Sequence, residues 1–158
     1  MLYLVERKKV VIVGIPGVGK TSLVTRIVEL INAEKHCASV HSYGTVMMGE
    51  AEGNQVSDRD NLRHLPVSQQ KDLQKQAATK ISELTDDVVF IDTHAFISTN
   101  EGFYPGLPYH VIQILEPTHL IAISARPEEI YNRRMKDDTR NRDKISIEAI
   151  KPGSREIK

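Results

Sequence analysis

Tryptophan is absent from this chain, and cysteine occurs once, at Cys37. A lone thiol closes no internal disulfide, so the fold asks for no oxidising compartment; Cys37 is expected as a small buried or half-buried residue. Long apolar runs are missing as well. The opening Met1-Leu2-Tyr3-Leu4-Val5 stretch stops at Glu6-Arg7-Lys8-Lys9, too soon for a secretory leader. Nothing approaches the roughly 18 consecutive apolar residues of a membrane span. Net charge is lacking too: 21 Lys and Arg offset 21 Asp and Glu, which argues against a dedicated nucleic-acid or membrane-surface protein. The six histidines contain no H-x-x-x-H pair, so no zinc site is indicated. These absences leave a soluble, cytosolic, globular protein. At 158 residues it is one domain, large enough for a core without staples.

Short β-branched runs alternate with helical patterns. Val10-Val11-Ile12-Val13 is continuously apolar, as in a strand buried on both faces. Residues 21–34 follow with Leu23, Val24, Ile27, Leu30 and Ile31 at helical spacing. A weaker strand is expected over 38–42, a turn-rich and then polar stretch over 43–65, and a helix over 68–84. Val88-Val89-Phe90-Ile91 is a second buried strand, ending at Asp92. A loop with Gly102, Pro105, Gly106 and Pro108 leads to a short helix over 109–115. A strand over 120–123 and a helix over 128–135 come next, with Pro127 at its first position, before a charged tail. Strands separated by helices imply parallel βαβ units and an α/β fold with helices on both faces of the sheet.

Between the first strand and the first helix lies Gly14-Ile15-Pro16-Gly17-Val18-Gly19-Lys20-Thr21, a full match to G-x-x-x-x-G-K-S/T, followed by Ser22. Glycines let the backbone bend round a phosphate and turn successive N–H groups inward. The helix N-terminus aims its positive dipole end at the same anion. Lys20 brings a mobile charge for the β- and γ-phosphates, and the Thr21 hydroxyl is a ligand for Mg²⁺. Strings this short occur by chance, as glycine-rich turns that bind nothing. Here a buried strand before and an amphipathic helix after supply the context that nucleotide binding requires.

Asp92 stands where ligands sit in open parallel sheets, beyond the carboxyl end of a strand. There it either holds Mg²⁺ or its waters, or caps the following turn. A basic run, Arg133, Arg134, Lys136, Arg140 and Arg142, is interleaved with acids. It reads as a solvated helix face or as guanidinium groups for a transferred phosphoryl group. Of the histidines only His94, two residues beyond Asp92, has a functional case, set against that of a satisfied loop histidine.

A regulatory GTPase would carry D-x-x-G after the second strand and N/T-K-x-D later; here Asp92 is followed by Thr93-His94-Ala95, and N/T-K-x-D is absent. A kinase of small molecules or nucleotides remains. The chain closely resembles the archaeal-type adenylate kinases, a branch of the nucleoside monophosphate kinases. The likeness runs through residues 14–22, Tyr43-Gly44, Asp58-Arg59-Asp60 with Arg63 and Leu65, and Phe90-Ile91-Asp92-Thr93-His94-Ala95. It continues in Pro105-Gly106-Leu107-Pro108 and residues 133–143, and covers residues 8 to about 150.

The resemblance implies a three-layer P-loop fold with sheet order 2-3-1-4-5, and reversible phosphoryl transfer from ATP with Mg²⁺ to AMP, giving two ADP. It implies a single domain over 1–158, with an AMP-binding helical segment near 43–84 and a short lid near 136–144. Tyr43, Gly44, Arg63 and His94 fall to the AMP side, and Arg133 near the phosphates. Arg140 and Arg142 become lid arginines, while Thr21 and Asp92 attend the metal. Two departures stand out. Thr45 replaces the acidic residue often found after Tyr-Gly, and Pro152-Gly153 breaks the helix that usually follows the lid. A 2-3-1-4 sheet without its fifth strand is therefore expected, its edge covered, if at all, by a neighbouring subunit in a homo-oligomer. The shortened tail also keeps a second reading open: a P-loop module that holds nucleotide but transfers little or no phosphate, as a degraded paralogue or regulatory partner.

Overall fold

The computed structural model describes residues 6–51, 62, 65–99 and 102–136, with the backbone alone for residues 97–99 and 102–103. The first strand, β1 (Lys8–Val13), is the centre of the sheet. Its alternate side chains serve two cores, because successive residues of a strand point to opposite faces. Val11 and Val13 join Val89 and Ile91 of β3 (Val88–Thr93) on one face, against α3 (Val67–Ser82) and α4 (Tyr109–Leu115). Val10 and Ile12 join Phe90 on the other, under α1 (Lys20–Ala33) through Val24, Ile27, Val28 and Ile31. Three layers result, with helices on both faces.

With β2 (Ala38–Ser42) and β6 (His119–Ala122), the sheet runs β2-β3-β1-β6 and every pairing is parallel. Counted along this sheet alone the order is 2-3-1-4, which agrees with the order expected for the first four strands; the tail, on which the expectation of a missing fifth strand rests, lies outside the described residues. Among the described residues β6 pairs only with β1, and all four of its residues are exposed, Leu120 to 67%. No described helix is long and apolar enough to cross a membrane.

Three expectations are corrected. The stretch after Ser42 does not open as a turn: Tyr43 and Gly44 begin α2 (Tyr43–Ala51). Tyr43, Val46 and Met47 lie at helical spacing and pack on the main core, while Ala51 reaches a smaller cluster with Leu62 and Leu73, and this stripe overrides the glycines. The loop after His94 contains an antiparallel hairpin, β4 (Phe96–Thr99) with β5 (Gly102–Pro105). Cys37 is exposed, since it precedes β2 rather than entering the core. Its Sγ donates to Asp86 Oδ1 at 3.0 Å, and that bond, with the negative charges of Asp86 and Asp87, pushes the thiol pKa up. Of the segment expected as a lid only Lys136, the last residue of α5 (Pro127–Lys136), is described.

Candidate active site

Parallel pairing brings the carboxyl ends of the strands together, with Val13 beside Thr93 and Ala122, and Ser42 beside Asp92. The segments that leave these strand ends therefore gather at one edge, as in other open α/β sheets. After β1 the chain turns through Gly14 to Gly19. Gly17 and Gly19 have φ of 88° and 101°, which side chains other than glycine rarely adopt. Gly19, in the left-handed region, caps α1 with no side-chain acceptor, and no acidic residue occupies the first turn. The helix dipole and the first N–H groups thus meet no anion from the helix itself. Val18 is buried against Ile130 of α5, which fastens the loop from outside.

Lys20 is only 6% exposed, and its Nζ donates to the Gly14 carbonyl at 2.9 Å. The same ammonium lies 3.7 Å from Asp92 Oδ1 and 3.5 Å from His94 Nδ1. Asp92 balances a charge that would be costly to bury alone. Its other oxygen accepts from Thr21 Oγ1 at 3.4 Å. A hydroxyl and a carboxylate, both hard oxygen donors, thus converge beside the phosphate loop. Among the described residues no group of three or more His, Cys, Asp or Glu could hold a metal. A cation here would take Thr21 and Asp92 and complete its shell with phosphates and water, the binding mode that suits Mg²⁺.

Two arginines of α5 also reach the loop. Arg133 donates from Nη1 to the Val18 carbonyl at 2.6 Å. Arg134 donates from Nε and Nη2 to the Pro16 carbonyl, at 2.9 and 2.6 Å. The sequence resemblance assigns a role to Arg133 and none to Arg134, its neighbour of the same type, because only the contacts tell the two apart.

The remaining candidates are placed less directly. Ile15, Pro16 and Ser22 belong to the loop and the first turn of α1 by chain position. His94, which follows β3, lies against Lys20 and the Gly14 carbonyl, its Nδ1 3.5 Å and 3.1 Å from them. Tyr43 is 2% exposed, and its hydroxyl donates to the Gln74 carbonyl of α3 at 2.6 Å, so its hydroxyl proton is committed inside the fold. Burial raises its phenol pKa. Gly44 follows it in the first turn of α2. Arg63, Arg140 and Arg142 lie outside the described residues.

The site's resemblances agree with its geometry. The family described as an AAA domain matches residues 13–151. An adenylate kinase of Methanocaldococcus jannaschii is 42% identical over 147 residues, covering 92% of this chain and 77% of that protein. One from Pyrococcus abyssi is 42% identical over 143 residues, covering 89% and 71%. Among solved structures, a shikimate kinase from Bacteroides thetaiotaomicron superposes with a TM-score of 0.60 over 95% of this chain and 77% of its own. At 13% identity that likeness concerns the fold alone. Sequence identity of this extent, together with a phosphate loop that opens α1 and faces Asp92, means that the chain belongs to the adenylate kinase family of P-loop phosphotransferases.

Proposed function

We propose that the protein transfers the γ-phosphoryl group of ATP to AMP, reversibly, giving two molecules of ADP. The observation that carries this reading is the convergence of Lys20, Thr21 and Asp92 on the phosphate loop. Arg133 and the resemblance of the chain to adenylate kinases support it further.

The loop N–H groups and the α1 N-terminus bind the donor polyphosphate. Lys20 leaves the Gly14 carbonyl for the β- and γ-phosphate oxygens, and Arg133 supplies a second cation from the α5 side. Thr21 and Asp92 would hold Mg²⁺, which neutralises charge on the phosphate oxygens when bound. The acceptor is already a phosphate oxyanion, so no protein group need remove a proton. Catalysis is then positioning and charge stabilisation. Gly44 and Arg63 serve the AMP side, where Tyr43 acts by anchoring α2 to α3 rather than by touching nucleotide. Arg140 and Arg142 close over the phosphates and exclude the water that would hydrolyse ATP. His94 acts on the donor side, beside the Lys20 ammonium and the Gly14 carbonyl that it leaves.

An assay of ADP formation with MgATP and each of AMP, GMP, CMP and UMP tests the proposal, with the highest kcat/KM expected for AMP. Nucleotide binding without turnover on any acceptor would favour the binding-module reading instead.

A further inference from the structure

Alternate carbonyls of the phosphate loop are each held by a cationic side chain: Gly14 by Lys20, Pro16 by Arg134 and Val18 by Arg133. A backbone nest can turn its N–H groups toward an anion only while its carbonyls are turned elsewhere. A group that pins one of those carbonyls therefore shapes the anion site even where it does not touch the anion.

The three cations are not equivalent. Lys20 and Arg133 each make a single bond to the loop carbonyl they hold, a bond that can be exchanged for a phosphate oxygen. Arg134 places two donors of its guanidinium on one backbone oxygen. Such forked, charge-assisted bonds are short and geometrically specific, and lysine cannot reproduce them. The stem of Arg134 lies flat on the loop as well: a Cβ added to Gly17 would stand 2.9 Å from Arg134 Cγ. Ile130, one helical turn earlier, is fully buried and packs with Val18. Ile130, Arg133 and Arg134, at i, i+3 and i+4, thus form one face of α5 applied to the loop.

We infer that Arg134 is a positioning residue, whose forked hold on the Pro16 carbonyl keeps the phosphate loop in its anion-binding form and ties α5 to it. The inference rests on the reading of this loop as the ATP site. It predicts that Arg134 governs affinity for the polyphosphate itself, with no part in recognising the base and none in binding AMP.

The test uses the full chain and calorimetric titration with MgATP, tripolyphosphate and AMP, applied to the wild type, Arg134→Met and Arg134→Lys, with thermal midpoints as a check on folding. Both variants should bind MgATP and tripolyphosphate about tenfold more weakly, as for the loss of a charge-assisted hydrogen bond. Affinity for AMP should stay within about twofold, within the variation expected of a remote surface change. In turnover, KM for ATP should rise in step while kcat at saturation changes little. Recovery of wild-type affinity by Arg134→Lys would overturn the inference, since charge alone would then suffice. So would a loss seen with MgATP but not with tripolyphosphate, which would mark a contact to the nucleoside. Wild-type protein that binds neither MgATP nor tripolyphosphate would instead refute the ATP-site reading, and the inference with it.

Discussion

Lys20 and His94 share one acceptor. The Lys20 ammonium lies 2.9 Å from the Gly14 carbonyl oxygen, and His94 Nδ1 lies 3.1 Å from the same atom. A carbonyl has two lone pairs and serves both, provided that the imidazole carries its proton on Nδ1. In that tautomer the ring helps fix the Gly14 carbonyl from which Lys20 departs. Asparagine keeps a donor close to the position of Nδ1, and leucine does not. His94→Leu should raise KM for ATP about fivefold, the worth of one ordinary hydrogen bond, while His94→Asn stays closer to wild type. Steady-state titration of ATP at saturating AMP checks this. A rise confined to KM for AMP would return His94 to the acceptor side.

Lys20→Ala removes the charge that meets the transferred phosphoryl group. The expected loss is about 10²–10³ in kcat, as for removal of one preorganised electrostatic donor. Single-turnover rates with MgATP and AMP measure it, and an unchanged rate would separate the loop from the chemistry.

Gly14→Ala probes the close approach of the loop to the neighbouring strand end. A Cβ there would stand 2.7 Å from the Ile123 backbone carbonyl, which cannot swing aside as a side chain would. Overpacking of this kind costs about 1–3 kcal/mol. Chemical denaturation should show a loss of that size, together with weaker ATP binding.

His110 gives the fold a dependence on pH. Burial pushes its imidazole pKa down, and Lys75 and Lys71 add to the effect. Its Nε2 is buried with no hydrogen-bond partner among the described residues. The unfolded chain therefore takes up this proton first as pH falls through about 6.5. Stability is unaffected by this group above that value and declines below it. His110→Leu should flatten the fall in thermal midpoint between pH 7 and about pH 5.5. Parallel slopes for the two proteins would contradict the assignment.

Much of this architecture is legible in residue patterns, for a physical reason. β1 and β3 are covered on both faces, which requires the uninterrupted apolar runs at Val10 to Val13 and Val88 to Ile91. The phosphate loop is readable because its chemistry leaves few choices at Gly14, Gly19, Lys20 and Thr21. Gly44 and Gly49 hide α2, although Tyr43, Val46 and Met47 already carry its helical stripe. Gly102, Pro105, Gly106 and Pro108 hide the β4–β5 hairpin, because they punctuate turns and strand ends alike. Tertiary packing decides both cases, and a local pattern does not contain it. The same holds for Tyr43, whose hydroxyl bond to Gln74 joins residues 31 apart in sequence, and for Arg134, which only its contacts distinguish from Arg133.

The stoichiometry of one reaction bears most directly on the proposed function. Phosphorus NMR of the wild-type protein with equal MgATP and AMP should show both nucleotides falling together, two ADP appearing for each ATP consumed, and no inorganic phosphate. ATP consumed with release of inorganic phosphate and AMP untouched, or no consumption at all, would contradict phosphoryl transfer between the two nucleotides.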